Sequence, residues 1–276
     1  MRSIRVVGSV ATAVVVIGAV VAGLGLTGHL PALTSEGRAR AALDNALTEL
    51  ALSSPDFSVA VLDKAGDKNF SYRGDDKFST ASAVKVSVLA CTLLQAQDRK
   101  RELTAAQKSL AGRMIRASDN DATTALFDAL GGAAGLTACD KRLGMTATTV
   151  DKAWGLTRTT ADDQVRLLGN LVSDDSELAV DARQYVFDLM GSVNDDQNWG
   201  VPSVARDGET APVKNGWDTS TADGGLWIVN TVGRIVSADR STNVSIAVLS
   251  HGSKTREDGI ALVEKVAALT RENLKY

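Results

Sequence analysis

The chain has 276 residues, 44% of them apolar, and its 30 Lys and Arg against 33 Asp and Glu leave a formal net charge of −3. That apolar share supports a packed core and excludes a disordered chain. The mild acidity, with no basic run beyond Arg99-Lys100-Arg101, excludes a broad nucleic-acid surface.

Along the chain, Arg2 and Arg5 precede an uncharged apolar run from Val6 to Leu26. About twenty such residues span a bilayer, and positive charge before them holds the N-terminus in the cytoplasm. The run reads either as a secretory signal, cleaved after a small residue such as Ala22, or as an uncleaved anchor that would tie the protein to the membrane through residues 6–26. No cysteine follows it to take a lipid. In both readings the rest of the chain is extracytoplasmic, so residues 1–30 form the leader or anchor and 31–276 the exported part.

Residues 35–52 are expected to be a helix capped by Ser35, with Ala42, Leu43, Ala46 and Leu50 at helical spacing. Two strands, 57–62 and 69–73, then form a hairpin around Asp63-Lys64-Ala65-Gly66-Asp67. The strongly apolar 81–96 reads as a buried helix. Further helices are expected at about 104–117, 121–130, 134–143, 160–173 and 178–190, with Asp162 and Asp163 capping the fourth of these. The Asp/Gly/Ser/Pro-rich stretch Asn194–Thr210 reads as a loop. Strands at 225–231, 234–238 and 244–250 and a closing helix at 256–273 complete the order. Strands grouped at both ends with helices between indicate an α+β fold, an antiparallel sheet packed against helices.

Cys91 and Cys139 lie in apolar, helix-like stretches, where they either pair or remain as buried thiols. His29 and His251 are the only histidines and no H-E-x-x-H occurs, which excludes a His-rich zinc site; no cofactor is implied.

Ser82-Ala83-Val84-Lys85 opens the buried helix. A serine hydroxyl is a weak nucleophile and needs a base beside it. A lysine three residues on shares its helix face, and serves as base if burial depresses its pKa. The plain alternative is a helix-capping serine with a surface lysine, but the apolar surroundings of Lys85 make an idle charge there costly. Ser118-Asp119-Asn120 follows the helix ending near Ala117, and Lys214-Asn215-Gly216-Trp217 precedes the final strands. Alone, these read as a helix cap and a hairpin turn.

Together and in this order, the three motifs resemble those of class A β-lactamases and penicillin-binding proteins. The resemblance extends to Phe78-Ser-Thr-Ala-Ser82, to Met114-Ile-Arg-Ala-Ser-Asp-Asn-Asp-Ala-Thr-Thr-Ala-Leu, to Gly131-Gly132 and to Leu143-Gly144, and covers roughly Leu43 to Leu274. It implies an α+β sheet flanked by helices beside an all-helical lobe. It also implies catalytic roles for Ser82 as nucleophile, Lys85 as proton acceptor, directly or through water, and Ser118 as relay to the leaving nitrogen. Asn120 would hold the acyl-side amide and Lys214 would attract a substrate carboxylate. Asn215 and Gly216 complete the third motif. The backbone N–H groups of Ser82 and Trp217 would form an oxyanion hole, worth ~3 kcal/mol per donor.

Three departures accompany the resemblance. Asn215 stands where the family has a hydroxyl, which puts carboxylate recognition in doubt. The loop Thr149–Thr160 is short and has no glutamate in a Glu-x-x-Leu-Asn setting, so a deacylating base is missing; Asp151 resembles the structural aspartate preceding that glutamate. The segment between the first two motifs is also short, which trims the helical lobe. Trp217 and Trp227 either pack under the sheet edge or, for Trp217, crowd the cleft. The expected activity is therefore serine acyl transfer on a wall-related peptide or ester. The alternatives are a β-lactamase proper and a binding or sensing module without turnover. The expected partner is a small-molecule or peptide substrate, with no nucleic acid, and the chain is expected to be a monomer.

Overall fold

The structure, a computed structural model, describes residues 34–276. The expected signal or anchor at 6–26 lies outside the described residues. No helix among the described residues is long and apolar enough to cross a membrane.

In chain order the elements are α1 (Ser35–Ala51), β1 (Asp56–Asp63), β2 (Lys68–Tyr72), β3 (Phe78–Ser79), a 3₁₀ turn (Ala81–Ala83), α2 (Val84–Asp98), α3 (Ala105–Arg116), α4 (Asn120–Ala129) and α5 (Gly132–Arg142). There follow β4 (Arg158–Thr159), α6 (Ala161–Val172), α7 (Val180–Met190), β5 (Glu209–Thr210), β6 (Val213–Ser220), β7 (Leu226–Ser237), β8 (Asn243–Ser253) and α8 (Arg256–Leu274). The sheet runs β2-β1-β8-β7, and β7 also pairs with β5 and β6, all antiparallel. Strand β8 alternates its apolar residues between two cores. Val244, Ile246 and Val248 join Leu43, Leu47, Val263 and Val266 of α1 and α8, while Ala247 and Leu249 join α2 and the helical lobe. Burial on both faces explains why β1 and β8 read as nearly unbroken apolar runs.

Local chemistry sets most helix starts. Thr104 and Gln107 form a reciprocal capping box on α3. Asp119 caps α4 through the Ala122 N–H, 2.9 Å away. The expected caps differ at two helices. Thr34, not Ser35, caps α1 by accepting from Gly37 N at 3.0 Å. Thr160, not Asp162 or Asp163, caps α6 by accepting from Asp163 N at 3.1 Å. The two aspartates are used elsewhere: Asp163 is buried against Arg166 and Thr148, and Asp162 accepts from Ser71 Oγ at 2.8 Å.

Two strand expectations also change. The predicted strands at 225–231 and 234–238 are one 12-residue strand, β7. Gly233 does not turn the chain; a Cβ there would come within 2.6 Å of the Pro212 carbonyl, so the glycine serves close strand approach. Lys214-Asn215-Gly216 sits inside β6 and not in a hairpin turn. The expected 194–210 loop holds two 3₁₀ turns, Asp195–Gln197 and Val201–Val204, and ends in β5.

Helix α2 is buried along nearly its whole length and forms the axis of the helical lobe. Cys91 on α2 and Cys139 on α5 form a disulfide, which settles the open alternative in favour of pairing. Closing a loop of 48 residues stabilises by about 4 kcal/mol in the chain-entropy account, and such bonds persist in oxidising compartments. Beside it Asp140 is buried, accepts from Ser87 Oγ, and is pushed up to about 7 by burial.

Candidate active site

The turn carrying Ser82 is held from three directions. Strand β3 pairs with β4, and Thr80 N donates to Thr157 O at 2.8 Å. Asn230, fully buried in β7, donates from Nδ2 to Ser79 O at 2.8 Å and Thr80 O at 3.0 Å, and its Oδ1 accepts from Ser250 N at 3.1 Å. Gly216, paired with Asn230 across β6 and β7, presses on the turn from beneath. A Cβ at Gly216 would meet Ala83 N at 2.6 Å, Thr80 O at 2.7 Å and Ser82 N at 2.8 Å. This clamp holds Ala81 at φ +44°, a left-handed backbone that costs an L-residue ~1–2 kcal/mol. Ser118, the first residue of the second motif, has φ +55°. Two of the seven non-glycine residues with positive φ among the described residues thus lie within the site.

Ser82 is half-buried and opens on a cleft of about 340 Å³ lined also by Asn120, Trp154, Leu156, Trp217 and Asp218. Among the described residues its Oγ takes part in no hydrogen bond. Lys85, fully buried on the first turn of α2, gathers the second motif around its Nζ. It lies 2.7 Å from Ser118 O, 3.0 Å from Ser118 Oγ and 2.8 Å from Asn120 Oδ1. Three acceptors match the three N–H groups of an ammonium. Burial nevertheless pushes Lys85 down to about 7, a shift that the Asp119 carboxylate partly offsets.

Lys214, also buried, reaches Ser118 Oγ from the opposite side at 3.0 Å and donates to Asn215 O at 2.7 Å. Burial first, and the nearby Lys85 second, hold it well below the ordinary lysine range. The two lysines therefore converge on one hydroxyl. With both lone pairs of Ser118 Oγ occupied, its hydrogen remains free for another acceptor.

The remaining predicted residues separate by strand alternation. Lys214 and Gly216 face Ser118 and the Ser82 turn, whereas Asn215 turns to the other side. Its amide donates both hydrogens, to Gln197 O and Trp199 O, each at 2.9 Å. Asn215 thus pins the 194–204 segment, and its donors are not available to a substrate. Trp217 combines both readings given to it: its ring packs 5.7 Å from that of Trp199, and it also lines the cleft. Trp227 packs against the core shared with α1 and α8. His251 pairs with Asp223 at 3.0 Å and does not line the Ser82 cleft.

The loop following the second motif fills its space with an aromatic ring. Lys85 Nζ lies 5.0 Å from the Trp154 ring centroid. The indole Nε1 is held by Thr124 Oγ1 at 3.1 Å. Asp151, the loop's only carboxylate, is exposed and accepts from Ala153 N at 2.8 Å. Sequence reasoning missed Trp154 and Asn230. The second left a signal: a lone amide inside the apolar run Leu226-Trp-Ile-Val-Asn-Thr-Val is costly unless it has a fixed hydrogen-bonding task. Among the described residues no cluster of His, Cys, Asp and Glu could hold a metal ion.

Ser82 on a 3₁₀ turn, Lys85 on the buried helix α2 and Lys214 on strand β6, with both lysines on Ser118 Oγ, match the arrangement that the resemblance to β-lactamase-type serine hydrolases implies. The sequence matches the family model of the beta-lactamase enzyme family over residues 41–108 and 106–274, and the chain belongs to that family. A search of curated proteins returns no match. Among solved structures, a variant of the class A β-lactamase of the last common ancestor of Gram-negative bacteria is 23% identical, with a TM-score of 0.71 over 85% of this chain and 99% of that one. The chromosome-encoded β-lactamase of Vibrio parahaemolyticus is 18% identical, with a TM-score of 0.72 over 84% and 99%. The structure of PBP-A is 19% identical, with a TM-score of 0.73 over 84% and 96%. At these identities the likeness establishes the α+β fold with its antiparallel sheet and helices.

Proposed function

We propose that the protein is an exported serine hydrolase that forms an acyl-enzyme at Ser82 with a wall-peptide-like, ester or β-lactam substrate. The observation that carries this reading is the convergence of Lys85 and Lys214 on Ser118 Oγ, 3.0 Å from each, beside the cleft onto which Ser82 opens. The disulfide supports export.

In the proposed step, Ser82 Oγ attacks the substrate carbonyl carbon and its proton passes to neutral Lys85, directly or through one water. Lys85 is suited to this because a group titrating near 7 is partly neutral at neutral pH. The new C–O bond leaves the carbonyl oxygen anionic, facing the backbone N–H groups of Ser82 and Trp217. Collapse then breaks the bond to the leaving nitrogen or oxygen, which takes its proton from Ser118 Oγ as the Lys85 ammonium, 3.0 Å away, returns the Ser82 proton to Ser118. Asn120, with Oδ1 committed to Lys85, keeps its amide hydrogens for the acyl-side carbonyl. Deacylation needs water at the ester carbonyl and a base to activate it. Trp154, and not a carboxylate, covers Lys85, so the acyl-enzyme is long-lived.

Mixed with p-nitrophenyl acetate, the protein should release close to one equivalent of nitrophenolate in a burst that Ser82→Ala lacks, and an acetylated species should persist for hours by intact mass. Absence of the burst would overturn the reading. A β-lactamase proper is the second reading, favoured by the fold shared with the two β-lactamases above; sustained release of hydrolysed benzylpenicillin would establish it.

A further inference from the structure

Among the described residues, the lining of the cleft offers no cation to a free carboxylate. Lys214 is 1% exposed, and its hydrogen bonds to Ser118 Oγ and Asn215 O are internal. Lys85 is fully buried behind the second motif. Neither lysine lines the cleft, and the Asn215 amide is turned away onto two backbone carbonyls. Arg256, on the first turn of α8, stacks its guanidinium 5.0 Å over the Trp217 ring and does not line the cleft either. Among the described residues the one ionisable side chain in the lining is Asp218, exposed, with Oδ1 held by Thr219 N at 2.8 Å. Its company is aromatic and apolar: Trp154, Leu156 and Trp217.

We infer that Asp218 sets the charge preference of the cleft, which takes cationic or neutral acyl donors and disfavours those bearing a free carboxylate. The cleft is small, about 340 Å³, so a charge on a bound donor lies close to Asp218, the one ionisable side chain on the lining, while Lys85, Lys214 and Arg256 stand behind the lining with their charges turned to internal partners. An anion is repelled there with nothing on the lining to neutralise it. An ammonium or guanidinium gains the carboxylate and the electron-rich ring faces of a tryptophan-walled site. Two unit charges about 6 Å apart in water-like surroundings change a rate by roughly threefold each way, so reversing the donor's charge changes it by about tenfold. The inference rests on acyl transfer at Ser82.

Three p-nitrophenyl benzoates that differ only in the para substituent test it: guanidino (cationic), acetamido (neutral) and carboxylate (anionic). Acylation of Ser82 in the full-length protein is followed by intact mass and peptide mapping at 10 mM salt, with each rate divided by that ester's own hydrolysis rate. The cationic ester should acylate about tenfold faster than the anionic one. The ratio should fall at least threefold in Asp218→Asn, which retains the hydrogen bond from Thr219, and should also shrink at 0.5 M salt. An anionic ester that reacts as fast as the cationic one, or a ratio unchanged in Asp218→Asn, would overturn the inference while leaving acyl transfer intact. No labelling of Ser82 by any of the three would overturn the acyl-transfer reading and this inference with it.

Discussion

Lys85→Arg is expected to slow acylation of Ser82 by roughly 10³-fold, within the range that a positioned general base contributes. Arginine preserves positive charge and hydrogen-bonding capacity toward Ser118 and Asn120, but it does not give up a proton at any pH the protein survives. The lysine differs because burial brings it down to about 7. The sign follows directly. The base is the neutral amine, and with the pKa lowered the neutral form predominates above about pH 7. Acylation by the native protein should therefore rise with pH through that value and level off above it. In Lys85→Arg the rising limb should vanish, leaving a low, flat profile. Burst rates with p-nitrophenyl acetate between pH 5 and 9 check both features. A merely structural loss would lower the whole curve and leave its midpoint in place.

Gly216→Ala should be nearly as damaging, for a reason that involves no ionisable group. The added Cβ would stand 2.6–2.8 Å from Ala83 N, Thr80 O and Ser82 N. All three are backbone atoms of a turn already clamped by Asn230, so no flexible side chain can move aside. Overpacking of this kind costs about 1–3 kcal/mol. In a domain of this size that is a fall in Tm of about 4–8 °C for a 2 kcal/mol change. The activity loss should exceed what the stability loss explains, because relief of the clash displaces the Ser82 amide that would face the oxyanion. A hundredfold fall in burst rate in protein that remains folded at 25 °C is expected. Calorimetry and burst kinetics on the same sample separate the two effects. The chemically similar Gly112→Ala provides the comparison, since a Cβ there meets only a flexible Arg116 nitrogen at 4.0 Å.

The three motifs were legible because each puts an unusual residue where ordinary packing would not. Lys85 interrupts an apolar helix, and that alone demands a partner or a task. Helix positions followed from apolar periodicity, with the errors at the starts: Thr34 and Thr160 cap α1 and α6, and the helix expected from 81 begins at Val84, the Ser82 turn, Ala81–Ala83, being 3₁₀. The direction of Asn215 was within reach of the sequence: once Lys214-Asn215-Gly216 is placed in a strand, alternation puts Asn215 opposite Lys214. Reading the motif as a turn hid that. The strands β3 and β4, two residues each, carry no periodic signal and exist only because tertiary contacts bring Phe78–Ser79 beside Arg158–Thr159. Trp154 was equally hidden. The sequence shows that the loop lacks a glutamate, but only the folded loop places an indole over Lys85. The pairing of Cys91 with Cys139 depends on how α2 and α5 cross, which spacing alone does not determine.

The central claim, that Ser82 is a nucleophile activated by Lys85, is tested most directly by labelling the intact protein with a neutral fluorophosphonate and mapping the modified peptide. The account predicts one phosphonyl group per chain on Ser82, no label in Ser82→Ala, and much slower labelling in Lys85→Arg. Equal labelling of the native protein and Ser82→Ala, or an unmodified Ser82 under conditions that label other serine hydrolases, would contradict it.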